Sequence, residues 1–154
     1  MQTQLTEHGS VPVERGVVFL QRHGQAMKLG WQPRKWLKKK AKAGFRSFPV
    51  GTVAFYGPDD RRASKVAVGI FSKSDSEPAA LRRWISESHD IRDDEAILAQ
   101  VVTFLREHHV HSVSMVDRII GCPHEEGIDY PNGEACPHCP FWKGRDRWAG
   151  PSRT

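Results

Sequence analysis

Three cysteines fall inside one 18-residue window, at Cys122, Cys136 and Cys139, and the 154-residue chain has no others. An odd number at this spacing cannot close into a disulfide framework without stranding a thiol, whereas a single divalent ion uses all three. Two histidines of the same window, His124 and His138, offer a fourth ligand. Pro123 drives Cys122 into extended backbone, where residues two apart face the same side, so Cys122 and His124 reach a common ion. His138 stands between Cys136 and Cys139, and an intervening side chain in such a knuckle points away. The expected set is therefore Cys122, His124, Cys136 and Cys139 around a tetrahedral zinc, with His138 as the substitute for His124.

The rest of the window suits that reading. Asn132-Gly133 is a tight-turn signal that folds residues 126–135 back and brings the two ligand pairs together. The amides of His138 and Cys139 are free to bond the Cys136 sulfur. Three thiolates, one imidazole and Zn²⁺ sum to a formal charge of −1, which Lys143, Arg145 and Arg147 are placed to offset. A shell of three cysteines and a histidine has no open position, so the metal is expected to hold structure rather than to catalyse.

Upstream of the window the hydrophobic pattern predicts one α+β domain over residues 16–148, with tails at 1–15 and 149–154. Gly16 to Leu20 is a short apolar run that is either an edge strand or a core plug. Pro33 opens a helix expected over 33–43, stopped by Gly44. Residues 52–56 and 64–71 read as a hairpin, because Val66, Val68 and Ile70 alternate against Lys65, Ala67 and Gly69. Pro78 opens a second expected helix through Leu81, Trp84 and Ile85. A longer one follows Asp93 and Asp94 to about His109, its face made by Ile97, Leu98, Val101, Val102 and Leu105. His111 to Ile120 then reads as a strand that leads into Cys122. The expected fold is a small mixed sheet, hairpin plus later strand, packed against helices and ending in a zinc loop at 121–142.

Charge is segregated. Residues 15–58 carry ten Lys and Arg and no Asp or Glu, although the net charge of the whole chain is only +5. The segment 28–46 concentrates them: Arg34, Lys35, Lys38, Lys39, Lys42 and Arg46 accompany Trp36 and Phe45, the mixture that nucleic-acid surfaces use for phosphate pairing and base stacking. On a helix Arg34, Lys38 and Lys42 share one face. These residues are the expected contacts to nucleic acid or another polyanion, with no membrane partner, in a cytoplasmic binding module without catalysis of its own. The chain shows no run of about 18 apolar residues and no basic, apolar leader.

Two resemblances imply an enzyme instead. His124-Glu125-Glu126 followed by Cys136-Pro137-His138-Cys139 resembles the zinc-dependent nucleoside and nucleobase deaminases, which implies Glu126 as proton shuttle beside a metal-held water. Phe19-Leu20-Gln21-Arg22-His23-Gly24 resembles the Arg-His-Gly motif of the histidine phosphatase superfamily, which implies His23 as phosphoryl acceptor and Arg62 as a second phosphate clamp.

Overall fold

The computed structural model describes residues 30–74 and 76–145. The two expected tails, the 16–20 run, His23, Lys28 and Arg147 lie outside them.

Helix α1 spans Pro33–Lys42, with proline in its first turn and Lys39, Lys40 and Lys42 against the negative end of its dipole. It is held by Pro33 and Leu37, both buried, and it ends one residue before the expected boundary. Strands β1 (Val50–Tyr56) and β2 (Lys65–Phe71) form the expected hairpin, paired antiparallel with Val53 opposite Val68.

The expected helix after Pro78 is instead a third strand, β3 (Ala80–Ile85), antiparallel to β2 along its whole length. Leu81, Trp84 and Ile85 do fit a helical spacing, but the eight residues from Pro78 to Ile85 make little more than two turns and offer a helix little to bury. As a strand the same residues satisfy the open edge of β2. Trp84 lies opposite Val66, meets Phe104 edge-on at 6.0 Å between ring centroids, and donates its indole N–H to Gln100 Oε1 at 3.0 Å. Tertiary pairing overrides a local periodicity here.

A turn of 3-10 helix at Ile91–Asp93 leads into α2, Glu95–Glu107. Asp94 Oδ1 caps α2 by accepting the Ile97 amide at 2.9 Å. Ile97, Leu98, Val101, Val102, Phe104 and Leu105 are all buried, so the expected face of α2 is the one that packs on the sheet. Strand β4 (Ser112–Ile119) then pairs parallel with β1, with an irregularity after Val53. The sheet order is β3-β2-β1-β4, a mixed four-stranded sheet in an α+β fold. The core lies between α2 and the sheet face bearing Val53, Phe55, Val66, Val68, Ile70 and Trp84.

Helix α2 ends in a Schellman motif: the Val110 amide bonds the Leu105 carbonyl at 3.2 Å and the His109 amide bonds that of Arg106 at 3.0 Å. Its left-handed residue is His109, at φ +54°, where glycine is the usual occupant. Burial and this strain give two expectations. Leu98→Ala, at a side chain 1% exposed, should cost about 2–5 kcal/mol in chemical denaturation. His109→Gly should stabilise the fold by about 1 kcal/mol, and an unchanged or lower Tm would mean that the His109 side chain repays its backbone strain.

Candidate metal centre

The parallel pairing of β4 with β1 continues past the last named strand residue. The Ile120 amide bonds the Phe55 carbonyl at 3.0 Å, and the Gly57 amide bonds that of Gly121 at 2.9 Å, which delivers Cys122 at the end of the sheet. Gly57 is backed by the Arg62 carbonyl, 2.1 Å from where a Cβ would stand, so only glycine fits. Its own carbonyl accepts the Trp142 indole N–H at 2.8 Å, which ties the far side of the cysteine loop to β1.

Between these two attachments the chain turns twice. The Gly127 amide bonds the Tyr130 carbonyl at 2.7 Å, and Asn132-Gly133 makes the expected turn with Gly133 at φ +80°. Cys122, Cys136 and Cys139 are thereby buried together beside Tyr130, with Trp142 packed against them. The His124 Nδ1 atom lies 3.2 Å from Cys122 Sγ and 3.4 Å from both Cys136 Sγ and Cys139 Sγ. All four atoms lie within 4.8 Å of one another. A tetrahedral zinc with ordinary bond lengths requires S···N separations of about 3.5 Å and S···S separations of about 3.8 Å. The four residues are close enough to hold a metal ion, and the donor set fits one.

His138 is exposed and outside this group, its ring centroid 5.3 Å from that of His124. The expected amide bonds to Cys136 Sγ are not formed. The Cys139 amide bonds the Cys136 carbonyl at 3.4 Å, and the amide directed at sulfur is that of His124, 3.3 Å from Cys122 Sγ. Proline 123 leaves that amide free to face back onto the thiolate.

Burial pushes the Cys122 thiol up, and it pushes the Cys139 thiol up further, with the Cys122 and Cys136 thiols adding to the effect. Thiolates packed this closely carry negative charge together only when a cation sits among them.

Sequence reasoning missed the residues that dock this loop. Lys65 reads as the outward member of the β2 alternation, yet its side chain is only 8% exposed. Its ammonium donates to the Pro123 carbonyl at 2.9 Å and to Glu125 Oε1 at 3.0 Å, and Arg83 of β3 closes on the same carboxylate. Burial would raise the Glu125 carboxyl, but Lys65 and Arg83 outweigh it and hold the group below the usual carboxylate range. The loop folds over the sheet face opposite the helices, and nothing local in the sequence announces that. Of the expected flanking cations, Arg145 borders the cavity next to Cys122 and Cys136, bonding the Phe141 carbonyl at 2.7 Å, and Lys143 is exposed.

Glu126 Oε1 accepts the Gly133 amide at 2.7 Å. That bond anchors the turn through one oxygen of the carboxylate that a deaminase mechanism would use as its proton shuttle. Arg62 donates to the Glu87 carbonyl at 2.9 Å, so its guanidinium is engaged within the fold.

Part of the basic segment is engaged within the fold. Arg34 bonds Asp93 at 2.7 Å and approaches Asp117 at 3.8 Å, and Lys38 pairs with Asp117 at 3.1 Å. Trp36 is half-buried against the core with Lys40 and Arg106 over its ring, at 5.5 and 5.2 Å from the centroid. Lys35, Lys39, Lys42 and Arg46 are exposed. The neighbouring aromatic that faces solvent is Phe45, 67% exposed.

The chain matches no protein-family model, and no curated protein or solved structure is significantly similar to it. Among the described residues no helix is long and apolar enough to cross a membrane.

Two measurements check the centre. Adding Zn²⁺ to metal-free protein should release protons, because raised thiols must give them up, and apparent affinity should fall as pH falls; calorimetry in buffers of different ionisation enthalpy reads both. Lys65→Met should leave metal stoichiometry intact while raising amide exchange across 122–130, since it leaves the Glu125 carboxylate short of one partner.

Proposed function

We propose that this chain is a zinc-stabilised binding module without catalysis of its own, which presents a basic surface to nucleic acid or another polyanion. The observation that carries the zinc assignment is the donor set: three thiols and one imidazole within 4.8 Å, a combination that suits zinc rather than hard, oxygen-seeking cations. Holding residues 122–142 is a task packing alone does poorly, because the loop's buried side chains are few and three of them are the ligand cysteines.

The polyanion reading rests on geometry as well as composition. Lys35, Lys39 and Lys42 follow an i, i+4, i+7 spacing on the solvent side of α1, and no carboxylate pairs with them among the described residues. Phe45 and Arg46 extend this row. Ser112 Oγ holds that extension on β4, accepting the Arg46 amide at 2.8 Å and the Ser47 amide at 3.1 Å. A row of cations ending in an exposed ring suits a phosphate backbone with one stacked base, and reads no base edge, so binding would be independent of sequence.

Zinc content by elemental analysis should be near one per chain and should be lost in Cys136→Ser; zinc retained in that variant would mean a different ligand set. Affinity for single-stranded oligonucleotides should drop steeply with salt. Charge reversal of Lys35, Lys39 and Lys42 together should lower the slope of log K against log salt by roughly 2. An unaltered slope would remove α1 from the interface.

A further inference from the structure

A second concave surface lies at the other end of the sheet from the cysteine loop. It is a cleft of about 420 Å³ between α1, the last turn of α2 and the start of β4, lined by Trp36, Lys40, Arg106, His109 and His111 with Leu105 and Val110 behind them. Four of these side chains are basic and none is acidic. Two helix C-termini offset roughly one positive charge between them, whereas Lys40 and Arg106 alone bring two. Neither forms an ion pair among the described residues, and both are held over the Trp36 ring, with Arg106 also over Trp31 at 5.7 Å. Stacking fixes the direction of each cation without spending its charge.

The two histidines are positioned as well. Ser47 Oγ lies 2.8 Å from His111 Nδ1 and orients that ring, leaving Nε2 for another partner. His109 occupies the left-handed position of the α2 cap, where glycine would close the same Schellman motif without strain. Its strained backbone sets this imidazole in the lining of the cleft, where a bound anion would give the side chain a role beyond the fold.

We infer that this cleft binds a phosphate monoester, with Lys40 and Arg106 meeting its charge and His109 and His111 donating to its oxygens. The inference deepens the polyanion reading, on which it rests for the source of the phosphate: the terminal phosphate of a nucleic-acid strand whose backbone continues along Lys42 and Arg46. Free phosphate offers the same chemistry.

The two sources separate in one experiment on the zinc-loaded full chain. Side-chain NMR of His109 and His111 is followed on adding a 5′-phosphorylated single-stranded oligonucleotide, the same strand with a 5′-hydroxyl, or inorganic phosphate. Resonances of both histidines should move with the phosphorylated strand and not with the hydroxyl strand, and Arg106→Gln should weaken that response roughly tenfold, the loss of one charge-assisted contact. Equal response to inorganic phosphate would keep the site and assign it to free phosphate. His109→Gly provides a variant that relieves strain, so weakened binding together with a higher Tm supports a contact role. Histidine resonances unmoved by every phosphate probe, or moved equally in Arg106→Gln, would overturn the cleft. The salt-dependent binding that depends on Lys35, Lys39 and Lys42 would survive that result, so failure here is distinguishable from failure of the polyanion reading itself.

Discussion

The parallel pairing of β4 with β1 is the constraint from which the rest of the architecture follows. It makes β4 parallel also to β3, the strand before it in the chain, and parallel strands cannot be joined by a short turn, so the chain must cross over the sheet from one edge to the other, and α2 is that crossover. The crossover fixes which face the helices cover. It also fixes what stands at each end of β4: the His109 to His111 turn at its start, and Gly121 with Cys122 at its finish. Because β1 lies beside it throughout, the Gly57 backbone receives both the incoming strand and the outgoing Trp142, and the cysteine loop is pinned on either side.

The charge distribution looks like an imbalance in sequence and a complementarity in space. Arg34 and Lys38 of the acid-free segment meet Asp93 and Asp117 from the acidic remainder, so α1 is attached to the rest of the domain by opposite charge as well as by Leu37. Such exposed pairs contribute little each, about 0–1 kcal/mol, and their value is orientation. With those two cations paired to carboxylates, a narrower row of unpaired lysines is left than composition alone suggests. The same logic operates at the cysteine loop, where Lys65 and Arg83 share one carboxylate.

Much of this was legible in the residues, for identifiable reasons. That Cys122, His124, Cys136 and Cys139 come together could be read because metal chemistry demands particular atoms at particular spacings, and Pro123 restricts the backbone between two of them. Helix α2 and the hairpin could be read because a buried face imposes its period on sequence. Residues 78–85 misled because Leu81, Trp84 and Ile85 follow a helical spacing while apolar residues fall on both faces of the strand, so no alternation marks it and only the unpaired edge of β2 decides. Lys65 was opaque for a different reason: alternation tells which face a side chain takes, and says nothing about what covers that face. The partners of Arg34 and Lys38 are likewise set by contacts 59 to 79 residues distant, beyond the reach of any local pattern.

The outermost position of β3 has a consequence for behaviour at high concentration. Within the described residues β3 is the sheet's edge opposite β4, and an edge offers unsatisfied backbone groups to any other extended chain. Its middle is Arg82-Arg83, with Arg82 stacked on Trp84 at 4.9 Å and Arg83 bound to the cysteine loop. Two fixed guanidinium groups on the exposed rim repel an identical strand approaching edge to edge, so the residues that steady the fold also act as gatekeepers against fibrillar self-association.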